Sequence, residues 1–158
     1  MQYVVRQFTP EDLDAVVKIN RACLPENYPP EFFLDHYYNN PQLFWVAEVA
    51  GKIVGYIMCR LEYGLSSFER AFTRRVHVIS IAVLPPFRRQ GIATALMEKV
   101  LYRSSETGAS EIYLEVRVSN TPAISLYRKL GFTAVKVIKS YYLDGEDAYL
   151  MARKLPYP

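Results

Sequence analysis

Cysteine is scarce in this chain, with Cys23 and Cys59 the two among 158 residues. They have neither metal-ligand spacing nor a disulfide framework, which excludes a zinc module and a disulfide-stapled secreted scaffold. Both lie in apolar stretches and read as packed free thiols, which fits a reducing cytoplasm. Cys59 falls mid-strand and Cys23 lacks a neighbouring base in sequence, so a covalent route through cysteine is not expected. No apolar run approaches the roughly 20 residues of a membrane helix. The chain runs straight into a strand-like segment, so no signal peptide is expected. Net charge is only +3, too little to argue for a nucleic-acid partner. No repeat, low-complexity run or linker interrupts the chain, so one domain is expected over 1–158.

What is present is an alternation of strand and helix signals. Tyr3 to Phe8 reads as a strand. Thr9-Pro10-Glu11-Asp12 reads as a helix start, with Thr9 as N-cap and Pro10 at the first helical position. Leu13, Val16, Val17, Asn20 and Leu24 follow at helical spacing, and Pro25, Pro29 and Pro30 end the run. A short second helix is expected over Glu31 to Tyr38. Phe44 to Val49 and Ile53 to Leu61 read as a hairpin turning at Gly51-Lys52. Tyr63 to Arg75 shows no clean period and reads as a loop.

His77 to Val83 is a β-branched strand, followed by Arg88-Arg89-Gln90-Gly91-Ile92-Ala93 and a helical pattern from Thr94 to Ser105 that ends near Gly108. Glu111 to Val118 alternates like a strand. Thr121-Pro122 opens a helix that Gly131 closes. Thr133 to Tyr142 and Ala148 to Leu155 read as strands joined around Asp144-Gly145. The order βααβββαβαββ predicts a mixed α/β fold. It has antiparallel strands first, a parallel pair joined by a crossover helix, a terminal hairpin, and about four flanking helices.

The turn from Arg88 to Ala93 is the sharpest chemical signal. A strand, a basic glycine turn and a helix start make an anion site, because a helix N-terminus leaves N–H groups unpaired and carries partial positive charge. Arg-x-x-Gly-x-Ala in this setting resembles the pyrophosphate-binding turn of the GCN5-related N-acetyltransferases (GNAT). So do Ile81-Ala82-Val83, Asn120, the block Ser125 to Phe132 and the terminal hairpin. Leu24-Pro25-Glu26-Asn27-Tyr28 and Tyr141 to Tyr149 resemble the two peptide-facing segments of NatA-type catalytic subunits. The segments Tyr63–Arg75 and Glu115–Asn120 point to archaeal members that work without a helical-repeat auxiliary subunit.

The resemblance implies the GNAT fold and transfer of acetyl from acetyl-CoA to the α-amino group of nascent proteins, with no metal. It implies cytoplasmic action, contact with ribosomes, and neither membrane nor nucleic-acid partners. Cofactor contacts are implied at Ile81, Ala82, Val83, Arg88, Arg89, Gln90, Gly91, Ile92, Ala93, Thr94, Asn120 and Tyr127. A backbone N–H near Val83 would polarise the thioester carbonyl, and Tyr127 would protonate the departing thiolate. Leu24, Pro25, Glu26 and Tyr28 would form one wall for the peptide, and Tyr141 and Tyr142 the other. Glu26, counted with the catalytic set, would help to select the first residue.

An α-amine has a pKa of about 7.7–8.0, so a modest base suffices. His77 and Glu115 are the candidates, flanking one gap if their strands diverge. On periodicity alone, a hydrogen-bonded structural histidine and a Glu115–arginine pair are the simpler reading, and the resemblance turns the choice toward catalysis. Glu146 and Asp147 read as solvated hairpin charge. Two rivals remain open: a lysine or small-amine acetyltransferase of the same fold, and a coenzyme A-binding module without turnover.

Overall fold

The computed structural model describes residues 2–158, which divide into two compact units. The first comprises 2–60 and 79–103, and the second 61–78 and 104–158. Strands β1 (Val4–Gln7), β2 (Phe44–Val49), β3 (Lys52–Leu65), β4 (Phe72–Val83), β5 (Glu111–Arg117), β6 (Thr133–Ile138) and β7 (Ala148–Lys154) form one mixed sheet in the order β1-β2-β3-β4-β5-β7-β6. The helices are α1 (Leu13–Cys23), α2 (Pro30–Asn39), α3 (Ile92–Ser105) and α4 (Thr121–Lys129). The element order is the one the sequence predicts.

In the first unit, β1 pairs antiparallel with β2, and β2 with β3. The β2–β3 turn is Ala50-Gly51, one residue earlier than expected. Both residues have positive φ, 50° and 79°, as a two-residue hairpin matching strand twist requires. Thr9 opens the first helical segment, its N–H donating to Asp12 Oδ2 at 2.9 Å, and a single 3₁₀ turn precedes α1. Pro30, expected only as a breaker, occupies the first turn of α2, where its missing N–H costs nothing. Phe8, Val16, Ile19, Phe33, Phe44, Val46, Tyr56 and Met58 make the core, with Phe8 stacked on Phe44 at 4.0 Å.

In the second unit, β4 and β5 pair in parallel over Arg75–His77 against Glu111–Tyr113, and β5–β7 and β7–β6 are antiparallel. Two expectations change here. Tyr63–Arg75 is not a loop: β3 runs to Leu65 and β4 starts at Phe72. The final strand pair is shorter than expected, because β6 stops at Ile138 rather than Tyr142. The chain from 139 to 147 is instead held by side chains. Asp147 accepts from the Ser140 N–H at 2.8 Å, and Glu146 from the Ser119 N–H at 3.0 Å and from Arg117 at 2.9 Å. These acids are structural ties rather than solvated charge. Their partners hold all three loop carboxyls below the ordinary range: the Glu146 N–H then Arg117 for Asp144, Ser119 then Arg117 for Glu146, and the Ser140 N–H for Asp147.

Candidate active site

Within the second unit, the parallel register places His77 beside Tyr113. Side chains alternate along a strand, so Arg75 and His77 share a face, as do Glu111, Tyr113 and Glu115. His77 Nε2 lies 2.7 Å from Glu115 Oε1. The sequence predicts a gap flanked by these two groups; the structure brings them into direct contact. Glu115 therefore pairs with the imidazole and not with an arginine. Both side chains keep some solvent access, at 14 % and 13 % exposed.

The other ring nitrogen, Nδ1, lies 3.1 Å from Glu62 Oε2 on β3, and the Tyr113 hydroxyl donates to Glu62 Oε1. The Tyr113 ring stacks on His77 with centroids 4.2 Å apart, and the Arg75 guanidinium sits 3.8 Å from the same ring. Burial, then the Glu62 carboxylate, raises the Tyr113 hydroxyl far above the usual phenol range. Its proton therefore stays on oxygen at physiological pH. Below this layer Glu111, 1 % exposed, accepts from Ser66 Oγ at 2.5 Å and from the Ser67 N–H at 2.9 Å. Arg75 Nε lies 3.4 Å from Glu111, an ion pair rather than a directed hydrogen bond.

Asn120 stands at the N-terminus of α4, its Oδ1 accepting from the Ala123 N–H at 3.3 Å. Further along α4, Tyr127 is 6 % exposed and packs near Phe132. Tyr142 carries the Arg117 guanidinium on its ring at 4.0 Å, and Tyr141 meets Tyr142 edge-on at 4.9 Å.

The first unit holds the anion turn and the Leu24–Tyr28 segment. Ala95 donates to the Gly91 carbonyl at 2.9 Å, so Gly91 is the residue from which α3 starts. Gly91 has φ +84° and Arg89 φ +62°, two left-handed residues that swing the backbone across the helix N-terminus. Arg88 Nε donates to the Val83 carbonyl at 2.7 Å, tying the turn to the end of β4. A Cβ on Gly55 would meet Ala82 O at 3.1 Å and Val83 Cγ2 at 3.2 Å, so glycine permits the close approach of β3 to Val83. Ile81, Ala82, Gln90, Ile92, Ala93 and Thr94 fall along this strand end, turn and helix start.

Asn20, fully buried on α1, organises the segment from Leu24 to Tyr28. Its Nδ2 donates to the Glu26 carbonyl at 3.1 Å and to the Tyr56 hydroxyl at 3.2 Å, and its Oδ1 accepts from the Tyr28 N–H at 3.2 Å. Tyr56 meets Ser80 at 2.6 Å, and burial pushes its hydroxyl up to about 12. Asn27 closes the turn, donating to the Leu24 carbonyl at 2.7 Å. Tyr28 stacks on Phe32 at 4.4 Å. Pro25 is exposed. Cys59 is fully buried, which pushes its thiol well above the ordinary value, and Cys23 Sγ lies 3.8 Å from the Val83 carbonyl.

Sequence reasoning misses Glu62, Tyr113, Tyr56 and Ser80. Asn20 does carry a signal: a polar residue at a core position of an amphipathic helix, which needs a buried partner. Glu62 carries none, since its partners lie 15 and 51 residues away in sequence.

Residues 13–132 match the acetyltransferase (GNAT) family, and the chain belongs to it. It is an acyltransferase by class. Over 156 residues it is 52 % identical to an N-alpha-acetyltransferase of Saccharolobus solfataricus, covering 97 % of this chain and 93 % of that one. Ard1 from Thermoplasma volcanium superposes with a TM-score of 0.84 at 33 % identity, with 99 % of both chains covered. Naa50 of Arabidopsis thaliana, solved with the bisubstrate analogue CoA-Ac-MVNAL, gives a TM-score of 0.84 at 26 % identity over 98 % of this chain and all of that one.

Proposed function

We propose that this chain is a protein N-terminal α-amino acetyltransferase that moves acetyl directly from acetyl-CoA to a peptide amine while both are bound. The observation that carries the mechanism is the 2.7 Å contact of His77 Nε2 with Glu115 Oε1 in a GNAT chain. The pair accepts the amine proton as the nitrogen attacks the thioester carbon. The carbon–sulfur bond breaks, and the Tyr127 hydroxyl gives its proton to the leaving thiolate. A thiol of pKa about 8.5 needs that donor less than an alkoxide would, so Tyr127 acts as the sulfur departs and not before.

The turn from Arg88 to Thr94 takes the diphosphate on its N–H groups and Arg89. Asn120 and the end of β4, from Ile81 to Val83, take the pantetheine arm and the carbonyl. Leu24, Pro25, Glu26 and Tyr28, with Tyr141 and Tyr142, receive the first residues of the peptide, and Glu26 biases which are accepted. The names of the relatives support the α-amino specificity. We take residues 1–158 to act as one catalytic domain: the family match runs through both units, and β3, β4 and α3 each contribute to both.

The same reading makes the enzyme cytoplasmic, acting on chains near the ribosome, and active without an auxiliary subunit. Among the described residues no helix is long and apolar enough to cross a membrane. The purified chain alone is therefore expected to turn over. Initial rates at varied acetyl-CoA and peptide should give intersecting double-reciprocal lines; parallel lines would indicate an acyl-enzyme. The double variant His77→Gln/Glu115→Gln should lower kcat at least about tenfold, the loss of one general base, and full activity would reject the pair as base.

A further inference from the structure

Glu62 reaches the imidazole from β3, opposite to Glu115. His77 thus has a carboxylate at each nitrogen, Glu62 at Nδ1 and Glu115 at Nε2, at 3.1 and 2.7 Å. A neutral imidazole has one N–H and cannot donate to both. What breaks the symmetry is Tyr113. Its hydroxyl donates to the second oxygen of Glu62 and so fixes that carboxylate as an acceptor beside the ring. Among the described residues, Glu115 has no such second donor; its hydrogen-bond partner is His77. With one Glu62 oxygen taken by Tyr113 and the other 3.1 Å from Nδ1, Glu62 is set to accept the Nδ1 proton, which leaves Nε2 facing Glu115. The stack of Arg75, Tyr113 and His77 fixes the ring plane in which this choice is made.

We propose that Glu62 is a positioning residue for the reaction: it keeps the Nδ1 proton of His77 in place, so that Nε2, together with Glu115, is the side that takes up the substrate's proton. The proposal rests on the reading of His77 as base. The Nδ1 proton does not move during turnover. The proton lost by the amine goes to Nε2 or Glu115, and the positive charge that the ring gains faces Glu62. Among the described residues, the carboxylates in contact with His77 are Glu62 from β3 and Glu115 from β5, and Arg75 from β4 lies over the Tyr113 ring. Tyr113, from β5, stays neutral.

The chain has two histidines, so nitrogen-15 spectra of labelled imidazoles resolve the tautomer, with the His77 signals assigned by their loss in His77→Gln. With the ring neutral, the unaltered protein should show the Nδ1–H form. Glu62→Leu should shift the ring toward the Nε2–H form, and should lower kcat about tenfold with both KM values held within about twofold. Glu62→Gln keeps an acceptor oxygen and should recover both the tautomer and most of kcat. Tyr113→Phe removes only the hydroxyl and should lower kcat in the same direction by a smaller factor, which provides a test if the leucine variant folds poorly. An unchanged tautomer in Glu62→Leu, or a glutamine variant as impaired as the leucine one, would overturn the proposal. His77→Gln separates the two claims. If it lowers kcat while Glu62→Leu changes nothing, only the role of Glu62 falls. If it leaves kcat intact, the base reading falls and the positioning role with it.

Discussion

Tyr56 links alkaline stability to the shape of the segment from Leu24 to Tyr28. Its hydroxyl sits between Ser80 and Asn20, and Asn20 holds the backbone of Glu26 and Tyr28. Burial raises the hydroxyl to about 12 from an ordinary value of 10. The folded state thus binds this proton more tightly than the unfolded one. Stability from this group is complete below pH 10 and is lost as pH climbs through about 12. The tighter hold on the proton is worth about 3 kcal/mol. Tyr56→Phe should flatten the fall of Tm between pH 10 and about 12. It also removes the Tyr56 partner of buried Ser80 and one of the two acceptors of Asn20 Nδ2, which costs about 1–3 kcal/mol at neutral pH. Because Asn20 shapes the segment proposed to receive the peptide, KM for peptide should rise more than KM for acetyl-CoA. Melting curves and steady-state kinetics on one preparation check both.

The turn from β4 into α3 and the hairpin of β3 with β4 show what local sequence reveals and what it hides. The turn is legible because its chemistry is local: a glycine at φ +84° can be replaced by little else, and its neighbours are basic. Gly91→Ala meets nothing closer than the Tyr3 hydroxyl at 3.5 Å, so its cost is backbone strain and not a clash. That strain should move the N–H groups of the turn and raise KM for acetyl-CoA severalfold, with KM for peptide little changed in the same rate assays. The hairpin is illegible because its alternation is inverted. Tyr63, Leu65 and Phe72 point to solvent at 74, 57 and 67 % exposure, while Glu62, Arg75 and His77 are held inside by one another and by β5. A search for apolar residues at period two finds nothing there. The strand signal lies in polar partners supplied by β5.

Glu111, at the start of β5, anchors that hairpin through Ser66, Ser67 and Arg75. Glu111→Ala removes one partner of a buried ion pair, a change that costs about 3–5 kcal/mol. In a chain of this size the melting temperature should drop by roughly 10 °C. Differential scanning calorimetry provides the measurement. The loop from 139 to 147 departs from its expected strand pairing for a related reason. Asp144-Gly145 does mark a turn, with Gly145 donating to the Tyr142 carbonyl at 2.9 Å, but the carboxylates capture the flanking N–H groups that a longer strand pair would use.

Across the whole chain, the order of elements can be read from prolines, glycines and hydrophobic period, and the family from one basic glycine turn with its downstream block. Lost to that reading is the company His77 keeps: a residue's partners across a sheet are set by register, which sequence spacing does not encode. The modest charge of +3 fits a protein whose basic residues serve particular contacts, Arg88 on Val83, Arg75 on Tyr113 and Glu111, and Arg117 on Tyr142 and the loop acids. A weak base facing a substrate amine is sufficient only if that amine is an α-amine, since a lysine amine of pKa about 10.4 is almost wholly protonated at neutral pH. The most direct measurement offers the purified chain acetyl-CoA and a peptide that carries both a free N-terminus and an internal lysine, and locates the added acetyl group by fragment mass spectrometry. The His77–Glu115 arrangement predicts acetyl on the N-terminal nitrogen and an unmodified lysine; acetyl on the lysine, or equal labelling of both, would contradict it.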